Sequence, residues 1–267
     1  MAPSTTPPLP CLVFDNGNMQ PATAFCRAFD AEELRGKRSW PTSSGWILTW
    51  DPTTSATFLW NPSVLRDTAT RIALPPMAHP PPADSVCALS GHPTATGGRC
   101  TVVLIEPPES AVLWYCHVGG AGATASWTRH EYDLGGTSVP VSGGSCWCPR
   151  FITHLAPAPR RGRFYHFYSA TQYGVIDFSP APEFSTVPMR KVPVEHPAGQ
   201  VVAMASMYGI DFNGELHTVS VLHRRDDVNS VVDINVYKMD FERQEPVRVG
   251  DVGDRALLAG SSVPFGG

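Results

Sequence analysis

Four pairs of short, strongly apolar runs, each pair flanking a turn, divide this chain at nearly regular intervals. Residues 46–50 (WILTW) and 57–60 (TFLW) flank DPTTSA; 101–105 (TVVLI) and 111–116 (AVLWYC) flank EPPES. Residues 163–168 (RFYHFY) and 175–178 (VIDF) flank SATQYG; 215–222 (ELHTVSVL) and 231–238 (VVDINVYK) flank the charged loop RRDDVNS. β-branched and aromatic runs bounded by turn residues are the mark of hairpins. The hairpins begin about every 50 to 60 residues, at the upper end of the roughly 40 to 50 expected when one supersecondary unit is repeated as a propeller blade. Two weaker strand candidates follow each hairpin: 71–74 and 86–89, 127–132 and 151–153, 187–192 and 201–207, 247–249 and 256–259. Four strands per unit is what a blade needs, and neighbouring blades would bury their shared faces with the hairpin aromatics Trp46, Trp60, Trp114, Phe164, Phe167 and Phe178. A β-sandwich or two small barrels would use the same strand count.

Glycine (23) and proline (27) are interspersed among these runs, as many short strands and turns require. The prolines at 75, 76, 80, 81 and 82 make the segment after Leu74 an extended surface loop, because proline cannot donate to a central ladder. Helix formers gather at 31–37 (AEELRGK), enough for one or two turns before Gly36 interrupts them. At 267 residues and 42% hydrophobic, the chain can bury a full core.

Charge narrows the functional classes. Charged residues make up 16% and the net charge is −4, so there is no basic excess to neutralise a phosphate backbone, and nucleic acid is not expected as a partner. No stretch approaches the roughly 20 apolar residues that cross a bilayer, and residues 1–10 lack the regions of a secretion signal. The expectation is a soluble protein of the cytoplasm or nucleus, with an organellar address left open by the Ser/Thr/Pro-rich start. Seven cysteines, an odd number spread along the chain, do not form a disulfide framework and read as buried free thiols.

Residues able to carry chemistry are few. There is no nucleophile elbow, zinc-protease helix, phosphate loop or dinucleotide fingerprint. Cys146-Trp147-Cys148 on a strand puts both thiols on one face, but zinc needs four ligands and no second cysteine pair has the spacing. His154, His166 and His217 occur singly in strand candidates. Asp226 with Asp227 and Glu106 with Glu109 lie in turns and read as solvated loops, as does the small basic cluster Arg160, Arg161 and Arg163. No catalytic, cofactor-binding or metal-binding residue is assigned, and no cofactor is expected.

The ordered series of motifs also resembles a known family. Ser44-Gly45-Trp46-Ile47-Leu48, then Phe58-Leu59-Trp60-Asn61-Pro62, then Ile72-Ala73-Leu74-Pro75-Pro76 is similar to a blade of the plant F-box-associated, KIB-type β-propellers, also called domain of unknown function 295. Gly162-Arg163-Phe164-Tyr165-His166, Trp127, Asn213-Gly214-Glu215-Leu216, Val236-Tyr237-Lys238-Met239-Asp240 and 253–260 (GDRALLAG) continue it in order. Asn213-Gly214 and Asn61-Pro62 are explained fully by turn geometry and mark scaffold, not chemistry. The resemblance implies an all-β propeller-like fold of about four to six four-stranded blades over 11–260, between a disordered tail at 1–10 and a tail at 261–267. It implies protein–protein recognition of the kind that selects substrates for ubiquitin ligation. Relatives with that role carry an F-box before the propeller, whereas here the propeller-like sequence starts within a dozen residues of Met1. The ligase adaptor is therefore not expected to bind directly, and the shortened C-terminus leaves closure of the ring open. The expectation is a non-enzymatic interaction module with an unidentified protein partner. The alternatives are a propeller enzyme or sugar binder that uses the central channel, which needs carboxylates with perturbed titration converging there, or a degenerate paralogue.

Overall fold

The computed structural model describes residues 34–61, 71–93, 100–119, 123, 125–158, 162–193, 202–212, 215–224, 227 and 230–251, together with three short strands nearer the N-terminus. Those three, β1 (Cys11–Val13), β2 (Asn18–Pro21) and β3 (Phe29–Asp30), form a sheet of their own. Four antiparallel four-stranded sheets follow in chain order. The first contains β4 (Arg38–Pro41), β5 (Ile47–Trp50), β6 (Thr57–Trp60) and β7 (Arg71–Leu74); the second contains β8 (Val86–Leu89), β9 (Cys100–Ile105), β10 (Val112–Val118) and β11 (Thr128–Glu131). A separate hairpin, β12 (Gly136–Val141) and β13 (Gly144–Pro149), interrupts the series. The third sheet is β14 (Ala156–Pro157), β15 (Arg163–Ser169), β16 (Gln172–Phe178) and β17 (Pro182–Pro188); the fourth is β18 (Val202–Phe212), β19 (Glu215–Arg224), β20 (Val231–Asp240) and β21 (Glu245–Arg248). In each, spatial order equals chain order.

The apolar runs explain why these sheets stack face to face. All six residues of β9 are buried. Successive side chains on a strand point to opposite faces, and here Val102 and Leu104 enter one core while Val103 and Ile105 enter another. A run without polar alternation is thus a strand covered on both sides. The first core joins Trp40, Trp46, Leu48 and Leu59 of the first sheet and its turn to Cys87, Leu89, Cys116 and Trp127 of the second. The second core joins Leu113 and Tyr115 to Phe164, Ile176 and Phe178 of the third sheet. The third joins Ala156 and Tyr173 to Leu216, Tyr237 and Met239 of the fourth.

Two further regularities define the architecture. The first strands of successive sheets approach each other, β4 with β8, β8 with β14 and β14 with β18, so they form the inner wall. At the outer rim, the end of each fourth strand meets the beginning of the next one. Trp127, just before β11, donates its Nε1–H to the Pro75 carbonyl just after β7. Phe184 of β17 packs against His130 and Tyr132 at the end of β11. Arg190, just after β17, donates its backbone N–H to Gln244 just before β21 and pairs with Glu245. Strand twist accumulating from inner to outer strand tilts the rim strands into this head-to-tail order. Four-stranded meanders stacked side by side with first strands innermost make an all-β propeller.

Several expectations are corrected. The rhythm grouped 86–89 with the hairpin before it, but β8 pairs with β9 and opens the next sheet; each unit is offset by one strand, since the hairpin holds the second and third strands. The expected strand at 151–153 is irregular, and the inner strand is Ala156–Pro157. The candidate at 187–192 is largely a loop, the strand lying at Pro182–Pro188. The helix expected within 31–37 reduces, in its described part 34–37, to a turn closed by the Lys37 N–H to the Leu34 carbonyl. The tails at 1–10 and 261–267, the strand candidate at 256–259, and Pro62, Arg160, Arg161, Asn213, Gly214 and Asp226 lie outside the described residues.

Candidate functional site

Each four-stranded meander fixes where its connections emerge. The start of the first strand, the turn between the second and third, and the end of the fourth share one end of the sheet. On the first sheet this is seen directly: the Met77 N–H, after β7, bonds the Ser55 carbonyl in the β5–β6 turn, and Trp50 Nε1 bonds the Met77 carbonyl. On the third sheet the Met189 N–H bonds the Thr171 carbonyl. At that end of the third sheet two features converge: the β12–β13 hairpin and a small recess of about 20 Å³ that is partly open to solvent.

The hairpin is built into the connection between the second and third sheets. Arg150 anchors its base. The guanidinium stacks 4.7 Å from the Tyr168 ring centroid at the end of β15 and donates to the Gly136 carbonyl at 2.8 Å. The turn uses Gly143 at φ 101°, a conformation that side chains disfavour. Beyond its base the hairpin is solvated on both faces. Trp147, 64% exposed, lies across Gly136: a Cβ there would meet the indole at 2.6 Å, so glycine leaves the ring its place. The opposite face carries Val139, Val141, Cys146 and Cys148 in the register Val139 to Cys146 and Thr137 to Cys148. Val139, Val141 and Trp147 are three of seven large apolar side chains exposed among the described residues; Val231, Ile234 and Val247 of the fourth sheet are three others, and Trp147 is the most exposed of the seven.

The recess lies between the third and fourth sheets and is lined by His154, Tyr165, His166, Tyr173, Tyr208 and Thr218 among others. His166 opposes Gly174 across β15 and β16, and its ring occupies the space a Cβ would take, 2.0 Å from Nε2. Its Nδ1 faces the Phe167 carbonyl at 3.0 Å; a carbonyl only accepts, so Nδ1 carries the proton and Nε2 the lone pair. Burial pushes this imidazole down to about 4 against the raising effect of that hydrogen bond, and burial also lowers His154. The Tyr173 hydroxyl is 2.7 Å from Thr218 Oγ1, and burial raises its pKa. The His166 imidazole is neutral at physiological pH, and among the described residues no carboxylate belongs to the lining.

His154 and His166, separate strand histidines in the sequence reading, both border the recess, but the His166 ring stands over Gly174 on the face of β15 that carries Phe164 and turns to the second sheet. His154 stands in the irregular segment before β14. His217 turns instead to the Glu215 carbonyl. Cys146 and Cys148 share a face, as the strand reading required. Glu106 accepts from Trp114 Nε1 at 2.7 Å, Glu109 sits in a 3-10 turn (Pro108–Ser110), and Arg163 pairs with Asp177. Among the described residues the carboxylates displaced from their ordinary titration are Asp51, Glu131 and Asp240, each lowered chiefly by a partner no more than three residues away. They are local turn and surface pairs that do not converge. Sequence reasoning missed the hairpin, although valines alternating around Ser142-Gly143-Gly144 signal one. It also missed His117, whose Nε2–H bonds the Pro180 carbonyl across sheets while Thr101 bonds Nδ1.

The chain matches one family description, KIB1-4 beta-propeller, over residues 17–266. The chain belongs to that family. In this KIB1-4 propeller the match extends over the sheet of β1 to β3 from Asn18 onward, over all four four-stranded sheets and over the inserted hairpin. Comparison with curated proteins finds no match to the chain. Among the described residues no helix is long and apolar enough to cross a membrane.

Proposed function

We propose that this propeller is a non-enzymatic protein-recognition module whose partner docks on the end of the third sheet, with the β12–β13 hairpin as its anchor. The observation that carries the reading is the exposure of Val139, Val141 and Trp147 on one anchored ribbon. Large aromatic and aliphatic side chains held at low conformational cost are the usual centres of protein interfaces. Membership of a propeller family supports the reading, since stacked sheets serve as a rigid platform for loops. The neutral lining of the recess and the local pairing of the displaced carboxylates favour it over a glycosidase-like channel, which needs two opposed carboxyl groups. Given the likeness to plant F-box-associated propellers, the partner class is a protein selected for ubiquitin ligation or shared with a ligase, in the cytoplasm or nucleus.

The test is affinity capture from plant extract with the tagged chain and its Trp147→Ala/Val141→Ser variant, read by quantitative mass spectrometry. Proteins bound by the wild type and depleted at least fivefold in the variant support the reading. Equal recovery with both, or recovery of chaperones alone, overturns it.

A further inference from the structure

Cys146 and Cys148 stand two residues apart on β13, so the pleat directs both thiols to one face of the exposed hairpin. Both are free; Cys146 is exposed and Cys148 half-buried. Cys87, Cys100 and Cys116 differ from them, being buried between the first and second sheets.

The geometry restricts what such a pair can take. Among the described residues no group of three or more His, Cys, Asp or Glu side chains could hold a metal ion, so none of those residues completes a closed four-ligand zinc site around this pair. A strand advances about 3.4 Å per residue, which sets Cα atoms two apart at about 6.8 Å, the upper end of what a disulfide spans. An ion between two thiolates suits the wider spacing: two metal–sulfur bonds of about 2.3 Å allow sulfurs up to about 4.6 Å apart. Thiolates are soft ligands that select copper(I). We propose that Cys146 and Cys148 form a two-coordinate site for a soft monovalent cation of the copper(I) class on this hairpin. Each thiol loses one proton, two sulfur–metal bonds form, and the bis-thiolate complex carries one negative charge with no electron transferred. Residues 136–149 contain no Asp or Glu to oppose that charge. The site goes beyond partner recognition and does not depend on it.

The test titrates copper(I) anaerobically into the full chain against a chromophoric copper(I) chelator, with C146S, C148S and C146S/C148S alongside. The wild type is expected to hold one ion that all three variants lose, because one remaining thiolate cannot supply two bonds. Its apparent affinity should tighten about a hundredfold per pH unit between pH 6 and 8, as two protons leave. X-ray absorption should show two sulfur neighbours. One equivalent of copper(I) should also protect Cys146 and Cys148 of the unmutated chain from alkylation, a readout that needs no variant to fold. Retention of the ion by a serine variant, three or more sulfur neighbours, or unprotected Cys146 and Cys148 would overturn the proposal.

Discussion

Replacing Trp127 by phenylalanine tests whether the rim contacts between sheets carry stability. Trp127 is buried, and its Nε1–H reaches the Pro75 carbonyl at 2.9 Å and Thr57 Oγ1 at 3.1 Å. Thr57 itself donates to the same carbonyl. Phenylalanine removes the donor and part of the ring, but the Pro75 carbonyl keeps the threonine hydrogen, so no buried acceptor is orphaned. The expected cost is about one hydrogen bond plus a small void, roughly 1–2 kcal/mol. Trp127→Ala opens the whole site and should cost about 3–5 kcal/mol. Adding Thr57→Val to Trp127→Phe should give a coupling of about 0.5–1 kcal/mol, because both side chains share one acceptor. Urea unfolding with an unchanged slope reads all three as midpoint shifts. A phenylalanine variant within about 0.3 kcal/mol of wild type, or one as damaged as alanine, refutes the reasoning.

Three further expectations follow from the third sheet and its hairpin. Gly174→Ala drives a methyl into the His166 ring and should cost about 1–3 kcal/mol in the same assay; a neutral result would mean that the ring moves freely. His166 has a folded pKa of about 4 against about 6.5 unfolded, so the unfolded chain binds the proton more tightly in this range. Its contribution is therefore fully present above pH 6.5 and is lost as pH falls towards 4, up to about 3 kcal/mol; unfolding free energy measured from pH 7.5 to 4.5 should fall less steeply in His166→Gln. Arg150→Ala removes the stacking on Tyr168 and the bond to the Gly136 carbonyl, so amide hydrogen exchange across 136–149 should accelerate about tenfold while the unfolding midpoint moves little.

The parts of the fold that could be read from the chain are those whose burial leaves a mark in composition. Residues 101–105 read as a strand because both faces of β9 are covered, and nothing polar interrupts them. The inner strand Ala156–Pro157 leaves no such mark: two residues, one of them proline, carry no period, and the more β-branched run at 151–153 drew the assignment instead. β17 begins at a proline and is largely solvent-facing, so its polar sequence reads as loop. In the hairpin, Cys146 and Cys148 suggested chemistry and hid the turn that flanks them. The recess could not be read at all, because Tyr173 and Thr218 meet only once the third and fourth sheets stack.

That stacking also separates scaffold from function. Each core joins only consecutive sheets, and each rim contact joins one fourth strand to the next, so stability is a sum of nearest-neighbour terms. A polar link seals each junction: Trp127 to Pro75, His117 to Pro180, and Tyr173 to Thr218. The β12–β13 hairpin contributes to none of the three cores and is tied to the third sheet at its base, through Arg150 and Tyr168. Its tip can change sequence without disturbing a junction, as a recognition element requires. Substitutions at Val139, Val141 or Trp147 should then alter binding while leaving unfolding within about 0.5 kcal/mol, whereas substitutions at Trp127 or Tyr173 should do the reverse. Equal effects on both properties at either set of positions would mean that hairpin and scaffold are one energetic unit, and that the exposed ribbon is structural.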